Sequence, residues 1–287
     1  MNKYICWICK SDDLVLKKES NIDAINSLSF KITDSNYGLT SAIYCCSSCG
    51  FLQCPEINNL IEYYESMTDD GYEDSSKARS IQAKKLIQSL GEFVENNQID
   101  LLDVGAGTGI LLEEAKKIGI NAEGIEPSKW LYKKAIGKGH VVYDGILPHP
   151  DIKKKYNIIT LIDVIEHVDD PVGLLRTLKD YMLDGGVGIL VTPDVNSLVA
   201  RLLGNRWWHY RVAHVGYFSE HTIKLALLKA GFRIIKINRP WWYFPLDYLI
   251  ERTQKYTPLK FKVPACLRKV IVPINFFDSI AVIFVKA

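Results

Sequence analysis

Three glycines, Gly105, Gly107 and Gly109, stand at alternate positions in the stretch LLDVGAGTG, directly after an apolar run. Glycines at the end of a strand let a backbone come close to a ligand. The dinucleotide fingerprint G-x-G-x-x-G does not fit, because Ile110 stands where its third glycine belongs. Asp103 sits just ahead of the loop, where its charge opposes a pyrophosphate and suits an ammonium. Without side chains at Gly105 and Gly107, backbone N–H groups can meet a carboxylate, or the loop can lie against a flat ligand. Glu126 ends the stretch AEGIE, 21 residues past Gly105, placed to accept hydrogen bonds from both hydroxyls of a ribose. A ligand with a ribose, an ammonium and no phosphate is S-adenosylmethionine. The plainer reading, an incidental glycine turn with solvated acids, fits less well with a strand–loop–helix context and a second acid.

Cysteines supply a second chemistry. Six of the seven fall within the first 54 residues. Cys6-Trp-Ile-Cys9 and Cys46-Ser-Ser-Cys49-Gly50 have the C-x-x-C spacing that brings both thiolates of a turn to one tetrahedral Zn²⁺. The 36 residues between Cys9 and Cys46 must loop out, and Cys45 competes with Cys46, although C-x-x-C-G favours Cys46. Four thiolates close the shell, so the expected zinc is structural. Cys54 and Cys266 read as ordinary thiols.

Histidines supply a third. Glu166-His167 falls at the end of an apolar run, and an imidazole there could take a proton from an attacking hydroxyl. It could equally order the loop before Asp170-Pro171. The segment from Asn196 to Thr222 gathers His209, His214, His221, Trp207, Trp208, Tyr210 and Tyr217, which suits a ring-shaped or polar acceptor. Trp207 and Trp208 read better as a lid packed on the core, and His214 as the functional residue.

These residues need elements to hold them. The spacing predicts a helix over 76–95, from Ala78, Ile81, Leu86, Ile87, Leu90 and Val94, and a shorter one over 56–64. Strands follow at 99–104, 120–125, 140–143, 157–162 and 187–192, with the last two at 232–238 and 280–286. Helices alternate with them: 110–119, 128–137, one starting at Asp170-Pro171 and stopped by Gly185-Gly186, and one between Ser219 and Gly231. Such alternation indicates an α/β fold, a mostly parallel sheet covered on both faces, with ligands at the carboxyl ends of its strands.

With the loop, the second acid and this order of elements in hand, the chain resembles a class I S-adenosylmethionine-dependent methyltransferase over about residues 76–239 plus the final strand. DVGAGTG matches the family's first motif and GIEPS its second. LIDVIEHVDDP matches the segment after the fourth strand in O-methyltransferases of the ubiquinone-biosynthesis type. The resemblance implies a Rossmann-like seven-stranded sheet. It also implies that Asp103, Gly105 and Gly107 face the methionine end, Glu126 holds the ribose, Asp144 lies near the adenine amino group, and Ile162 and Asp163 line the opposite wall. His214 resembles the last residue of a Tyr-His-Glu-His segment in sugar C-methyltransferases that carry a zinc-binding N-terminus. Here Arg211 and Ala213 replace the Tyr and Glu, and the chain shows no counterpart of their long C-terminal domain. That puts ketosugar C-methylation in doubt and leaves a sugar or glycan acceptor open.

The chain of 287 residues therefore divides into a small zinc-ribbon-like module (1–55), a helical linker and cofactor lid (56–98), a methyltransferase domain (99–239 with 278–287), and an aromatic and basic insert (240–277). The insert could touch an anionic membrane surface or close over a lipid-linked acceptor. Pro245, Pro258 and Pro264 break its helical amphipathicity, which favours packing on the sheet with a solvated basic face that includes Lys260. A net charge of +2 gives no footprint of a nucleic-acid binder. MNKYICWICK lacks an apolar signal core, and Val270–Val285 is interrupted by Pro273, Asn275 and Asp278, so a cytoplasmic location is the default. The expected activity is methyl transfer to an oxygen of a small molecule or glycan. The rivals are RNA or protein methylation guided by the zinc module, and a non-catalytic binding role.

Overall fold

In a computed structural model, the described residues are 4–34, 36–93, 98–258 and 261–287. Val94, Glu95 and Lys260, used in the sequence reading, lie outside them. The chain opens with three short antiparallel strands, β1 (Leu14–Lys18), β2 (Ile43–Cys46) and β3 (Leu52–Gln53). Two helices follow, α1 (Leu60–Glu65) and α2 (Ser76–Gln88). The first starts later than its apolar pattern predicts because Asn59 ahead of it is left-handed, with φ of 56°.

Next comes the alternating region: β4 (Asp100–Val104), α3 (Ile110–Lys117), β5 (Asn121–Glu126), α4 (Lys129–Gly137), β6 (Val141–Asp144), β7 (Tyr156–Ile162), α5 (Pro171–Tyr181) and β8 (Met182–Pro193). It is followed by α6 (Leu198–Leu203), β9 (Gly216–Tyr217), α7 (Glu220–Ala230) and β10 (Phe232–Asn238). The 240–277 region forms β11 (Trp242–Pro245), α8 (Leu246–Thr253) and β12 (Ile271–Ile274), with β11 and β12 paired antiparallel. The last strand is β13 (Ser279–Lys286).

The main sheet runs in the order β10-β13-β8-β7-β4-β5-β6. Strands β4 to β8 are parallel, and β13 runs antiparallel to both β8 and β10. Buried on both faces, β7 is almost continuously apolar (YNIITLI), as a central parallel strand requires. The chain order reverses at β4, which lies between β5 and β7, so a crevice opens there at the carboxyl ends.

Helix starts follow their caps. The Ser128 hydroxyl accepts from Leu131 N–H, the Asp170 carboxylate from Gly173 N–H with Pro171 in the first turn, and Ser219 and Thr222 form a reciprocal pair. One stop signal proves misread. α5 ends at Tyr181, and Gly185-Gly186 lies inside β8. A Cβ on Gly186 would sit 2.9 Å from the Leu183 carbonyl oxygen and 3.1 Å from that of Asn157, so close backbone approach, not a helix end, demands the glycine.

The N-terminal strands are tied to the rest of the chain. β9 extends their sheet to four strands in the order β1-β2-β3-β9, pairing Leu52 with Tyr217 and Gln53 with Gly216. Among the described residues no helix is long and apolar enough to cross a membrane.

Candidate active site

β4 and β5 end side by side at the crevice, and the glycine loop crosses their tips. Gly105 and Ala106 N–H groups both donate to the Ile125 carbonyl, at 2.9 and 3.1 Å, and Gly107 N–H donates to Glu126 Oε2 at 2.8 Å. With these donors taken by β5, the loop presents a flat, bare backbone rather than an anion nest. Gly105 and Gly107 have φ of 76° and 56°. An added Cβ would meet Val164 Cγ2 at 2.6 Å and Tyr72 Oη at 2.5 Å respectively.

Glu126 is held by backbone. Besides Gly107, Ser128 N–H donates to its Oε1 at 2.8 Å. One bond on each oxygen leaves each a lone pair for a ribose hydroxyl. Burial pushes the carboxyl up to about 7, opposed by the Ser128 and Gly107 bonds and assisted by Asp144. Asp103 accepts the Thr160 hydroxyl at 2.5 Å, and burial lifts it to about 7 as well, with the Glu126 charge adding to the rise. Both carboxyls are therefore ready to ionise when a cation or donor arrives.

The structure does not bring every expected residue to this wall. Asp144 is the register partner of Glu126 on edge strand β6, but its side chain is exposed, and Gly145, Ile146 and Leu147 line the cavity instead. Asp163 and Ile162 do line it. Asp163 is left-handed, with φ of 52°, and its N–H donates to the Val191 carbonyl at 3.0 Å. Its carboxyl rises to about 6 through burial, opposed by His209, Arg79 and Arg211 and assisted by Asp278.

The cavity measures about 1120 Å³. That exceeds the ~300–1,000 Å³ of a pocket for one drug-sized ligand, leaving room for cofactor and acceptor together. Beyond the glycine loop it reaches Glu166, His167 and His214. The His167 Nδ1 lies 2.7 Å from the Ala213 carbonyl oxygen, which also accepts the Tyr64 hydroxyl at 3.0 Å. The Tyr64 hydroxyl also touches Nδ1; because it donates to the carbonyl, its oxygen is left to accept, so Nδ1 carries the proton and Nε2 keeps a free lone pair. Burial depresses His167 to about 4, so the ring is neutral at pH 7.

His214 packs edge-on to His167 with ring centroids 4.8 Å apart. Burial, then the neighbouring His167, lowers it well below the usual range. Among the described residues its Nδ1 is buried without a partner, as is Glu166 Oε1. Glu166 Oε2 accepts the Thr192 hydroxyl at 3.0 Å, and burial with Asp163 nearby holds this carboxyl well above its ordinary range. One ligand atom from each of Glu166, His167 and His214 lies within 4.8 Å of the others, a spacing at which the three side chains could share a divalent cation. Of the other candidates, Trp207 is fully buried as a core residue, Trp208 lies in the cavity wall, and His221 is exposed on α7.

Several wall residues have no signature in the sequence. Tyr64, Tyr72 and Arg79 come from α1, α2 and the turn between them, and Arg211 donates to the carbonyls of Lys31 and Ile32. Tyr64, Tyr72 and Arg79 reach the site from stretches whose spacing carries no motif, and Arg211 belongs to the His214 segment, where the sequence marks it only as a departure from a motif.

The four cysteines form a separate cluster. Cys6 and Cys49 Sγ atoms are 3.6 Å apart, Cys9 and Cys46 are 3.5 Å apart, and all four lie within 4.8 Å. A tetrahedron with Zn–S of ~2.3 Å has edges of ~3.8 Å. Cys45 stands outside the cluster, its thiol near the Cys46 carbonyl. Burial pushes the Cys6 thiol up to about 11, while Cys46 falls to about 7 because hydrogen bonds to its sulfur outweigh its burial.

A family model described as a methyltransferase domain matches residues 77–237. A ubiquinone biosynthesis O-methyltransferase of Bordetella avium is 26% identical over 159 residues, covering 51% of this chain and 64% of that one. Its namesake from Rhodopseudomonas palustris strain BisB5 is 30% identical over 130 residues, covering 43% and 47%. The chain thus spans about half the length of the curated relatives it matches. Among solved structures, a SAM-dependent methyltransferase from Archaeoglobus fulgidus superposes with a TM-score of 0.52 at 20% identity, covering 76% of this chain and 100% of that one. Magnesium protoporphyrin IX methyltransferase from Synechocystis, with bound SAH, gives 0.50 at 14% identity, covering 78% and 91%. At these identities the superpositions establish the fold.

Proposed function

We propose that this chain, which belongs to the methyltransferase domain family, uses S-adenosylmethionine to methylate an oxygen atom of a small molecule or of a sugar in a glycan. One observation carries the reading: a bare glycine loop faces Glu126 at the switch point, and the same cavity continues to a neutral His167 with a free Nε2. In this reading Asp103 and Glu126 receive the ammonium and ribose of the cofactor, with Gly105 and Gly107 against its flat parts. The choice of oxygen is supported by the printed names of the relatives and by neutral imidazoles whose free nitrogens can accept a hydrogen bond from a hydroxyl.

Transfer breaks the S–CH₃ bond and forms an O–CH₃ bond in line, leaving S-adenosylhomocysteine. The hydroxyl proton passes to His167 Nε2 or His214 Nδ1. A divalent cation on Glu166, His167 and His214 would occupy those same lone pairs; in that case it would polarise the acceptor oxygen and lower its pKa, and the proton would pass to solvent. In the proposed assembly Cys6, Cys9, Cys46 and Cys49 hold a structural zinc ion.

The test is incubation with methyl-labelled S-adenosylmethionine and fractionated extract, followed by identification of the labelled atom. Label found only on carbon or nitrogen would refute O-methylation. Glu126→Ala should weaken cofactor binding at least about a hundredfold by calorimetry, since two ribose hydrogen bonds to a charged group are lost. Retained affinity would defeat the assignment of Glu126.

A further inference from the structure

The cavity carries charge of both signs: Arg79 and Arg211 act on Asp163, and Asp34 stands on the wall that holds Arg252. Its cofactor end carries Asp103, Glu126 and Asp163, and its far end is walled by the 30s segment and α8, with Tyr37, Tyr248, Arg252 and Tyr256. Arg252 is fixed there on three sides. Its guanidinium carbon sits 4.6 Å from the Tyr248 ring centroid and 5.5 Å from that of Tyr37, and its Nη2 donates to the Thr33 carbonyl at 2.8 Å. Tyr37 in turn stacks on Tyr256, with ring centroids 6.3 Å apart.

Among the described residues no carboxylate makes an ion pair with Arg252. The contrast with its neighbour in the insert is informative: Arg268 pairs with Asp247 at 2.9 Å and with Asp74 at 3.4 Å. Asp34, on the same wall as Arg252, accepts instead from Asn36, at 3.2 Å from the backbone and 2.9 Å from the side chain. A guanidinium has five N–H donors in a planar fork, and one carbonyl uses only one of them. Held between two rings, half-buried and unpaired, it is preorganised for a planar anion, and the tyrosines offer stacking area beside it. Arg211 adds a second positive charge along the same wall, with its buried Nε also unpartnered.

We infer that the acceptor carries an anionic oxygen group, a phosphate or a carboxylate, beside a ring or other flat face, and that Arg252 with Tyr37 and Tyr248 anchors this end away from the methyl donor. The inference rests on the methyltransferase reading, because it takes the wall of Asp103 and Glu126 as the place of the cofactor. It names the acceptor's chemical class and makes Arg252 the specificity-determining residue.

Ring-matched probes test it: phenyl phosphate, benzoate and phenol, each titrated calorimetrically into full-length protein saturated with S-adenosylhomocysteine. One or both anions should bind about tenfold or more tightly than phenol. A preference for phenyl phosphate points to a phosphorylated acceptor, and a preference for benzoate to a carboxylated one. Arg252→Gln should erase the difference and Arg252→Lys should restore part of it, with S-adenosylhomocysteine affinity unchanged in both as the control for folding. Equal binding of all three probes, or an anion preference that survives Arg252→Gln, overturns the inference. Failure of S-adenosylhomocysteine itself to bind would instead remove the cofactor reading beneath it.

Discussion

Asp103 and Glu126 have ordinary values of 3.8 and 4.5 and are both pushed up to about 7 by burial in the folded chain. A carboxyl raised on folding stabilises the fold fully below its unfolded value, and that contribution is lost as pH rises through the folded one. The cofactor-free protein should therefore lose stability between pH of about 4 and about 7 as the two groups ionise without partners. An ammonium and two ribose hydroxyls favour the ionised forms, so binding must expel protons in that window. Calorimetry of S-adenosylmethionine binding in two buffers of different ionisation enthalpy should show net proton release at about pH 6.5 and none by about pH 9. Zero release at the lower pH would mean that these carboxyls do not face the cofactor. At the other end of the cavity, His214→Ala should leave cofactor affinity within about twofold while lowering turnover by ~10²–10⁴, the range of a lost acid–base or positioning group. A change confined to melting temperature would make His214 structural. At this scale the sequence is legible where chemistry is local. The cysteine pairs and the Glu126 strand end announce themselves by spacing, whereas Tyr64 and Arg252 acquire meaning only when distant segments meet.

The loop between β4 and α3 does its work as an element, through backbone shape. Gly107 combines a left-handed φ of 56° with Tyr72 Oη 2.5 Å from where a Cβ would stand. Gly119 has φ of 82° with open space around it, so it isolates the cost of the backbone conformation alone. Gly119→Ala should cost about 1 kcal/mol by urea denaturation and leave cofactor affinity intact. Gly107→Ala should cost about 1–3 kcal/mol and also weaken cofactor binding, because the loop must shift off Glu126 to clear the tyrosine. A Gly107→Ala protein that binds S-adenosylmethionine like the parent would show that the loop shape is not the requirement. Helix starts were readable because caps are written in adjacent residues such as Ser219 and Thr222. Gly185-Gly186 was not, since glycine marks a helix stop and a tight backbone crossing alike, and only the carbonyls of Leu183 and Asn157 distinguish them.

At the scale of the whole molecule, the cysteine-bearing segment and the proposed methyl-transfer site are packed together. Cys6, Cys46 and Cys49 share one hydrophobic core with Leu175, Phe218 and Ile223. Phe51 packs on Phe218 with ring centroids 4.9 Å apart, and β3 pairs with β9, which follows His214 by one residue. Local C-x-x-C spacing suggests a module set apart, because a pairing between positions 52 and 217 leaves no trace in either stretch. The consequence is directional. The proposed cofactor contacts lie on β4 and β5, outside this small sheet, whereas His214 and the Ala213 carbonyl that orients His167 lead straight into it. Loss of the proposed zinc should therefore loosen the acceptor side first. Cys46→Ser, or removal of metal by a chelator, should release one zinc ion per chain in a colorimetric assay and lower the melting temperature by at least about 5 °C. The same change should reduce turnover far more than S-adenosylmethionine affinity. Equal loss of both would mean that the cluster supports the fold as a whole, and a zinc-free protein with full turnover would remove the cluster from the architecture of the site.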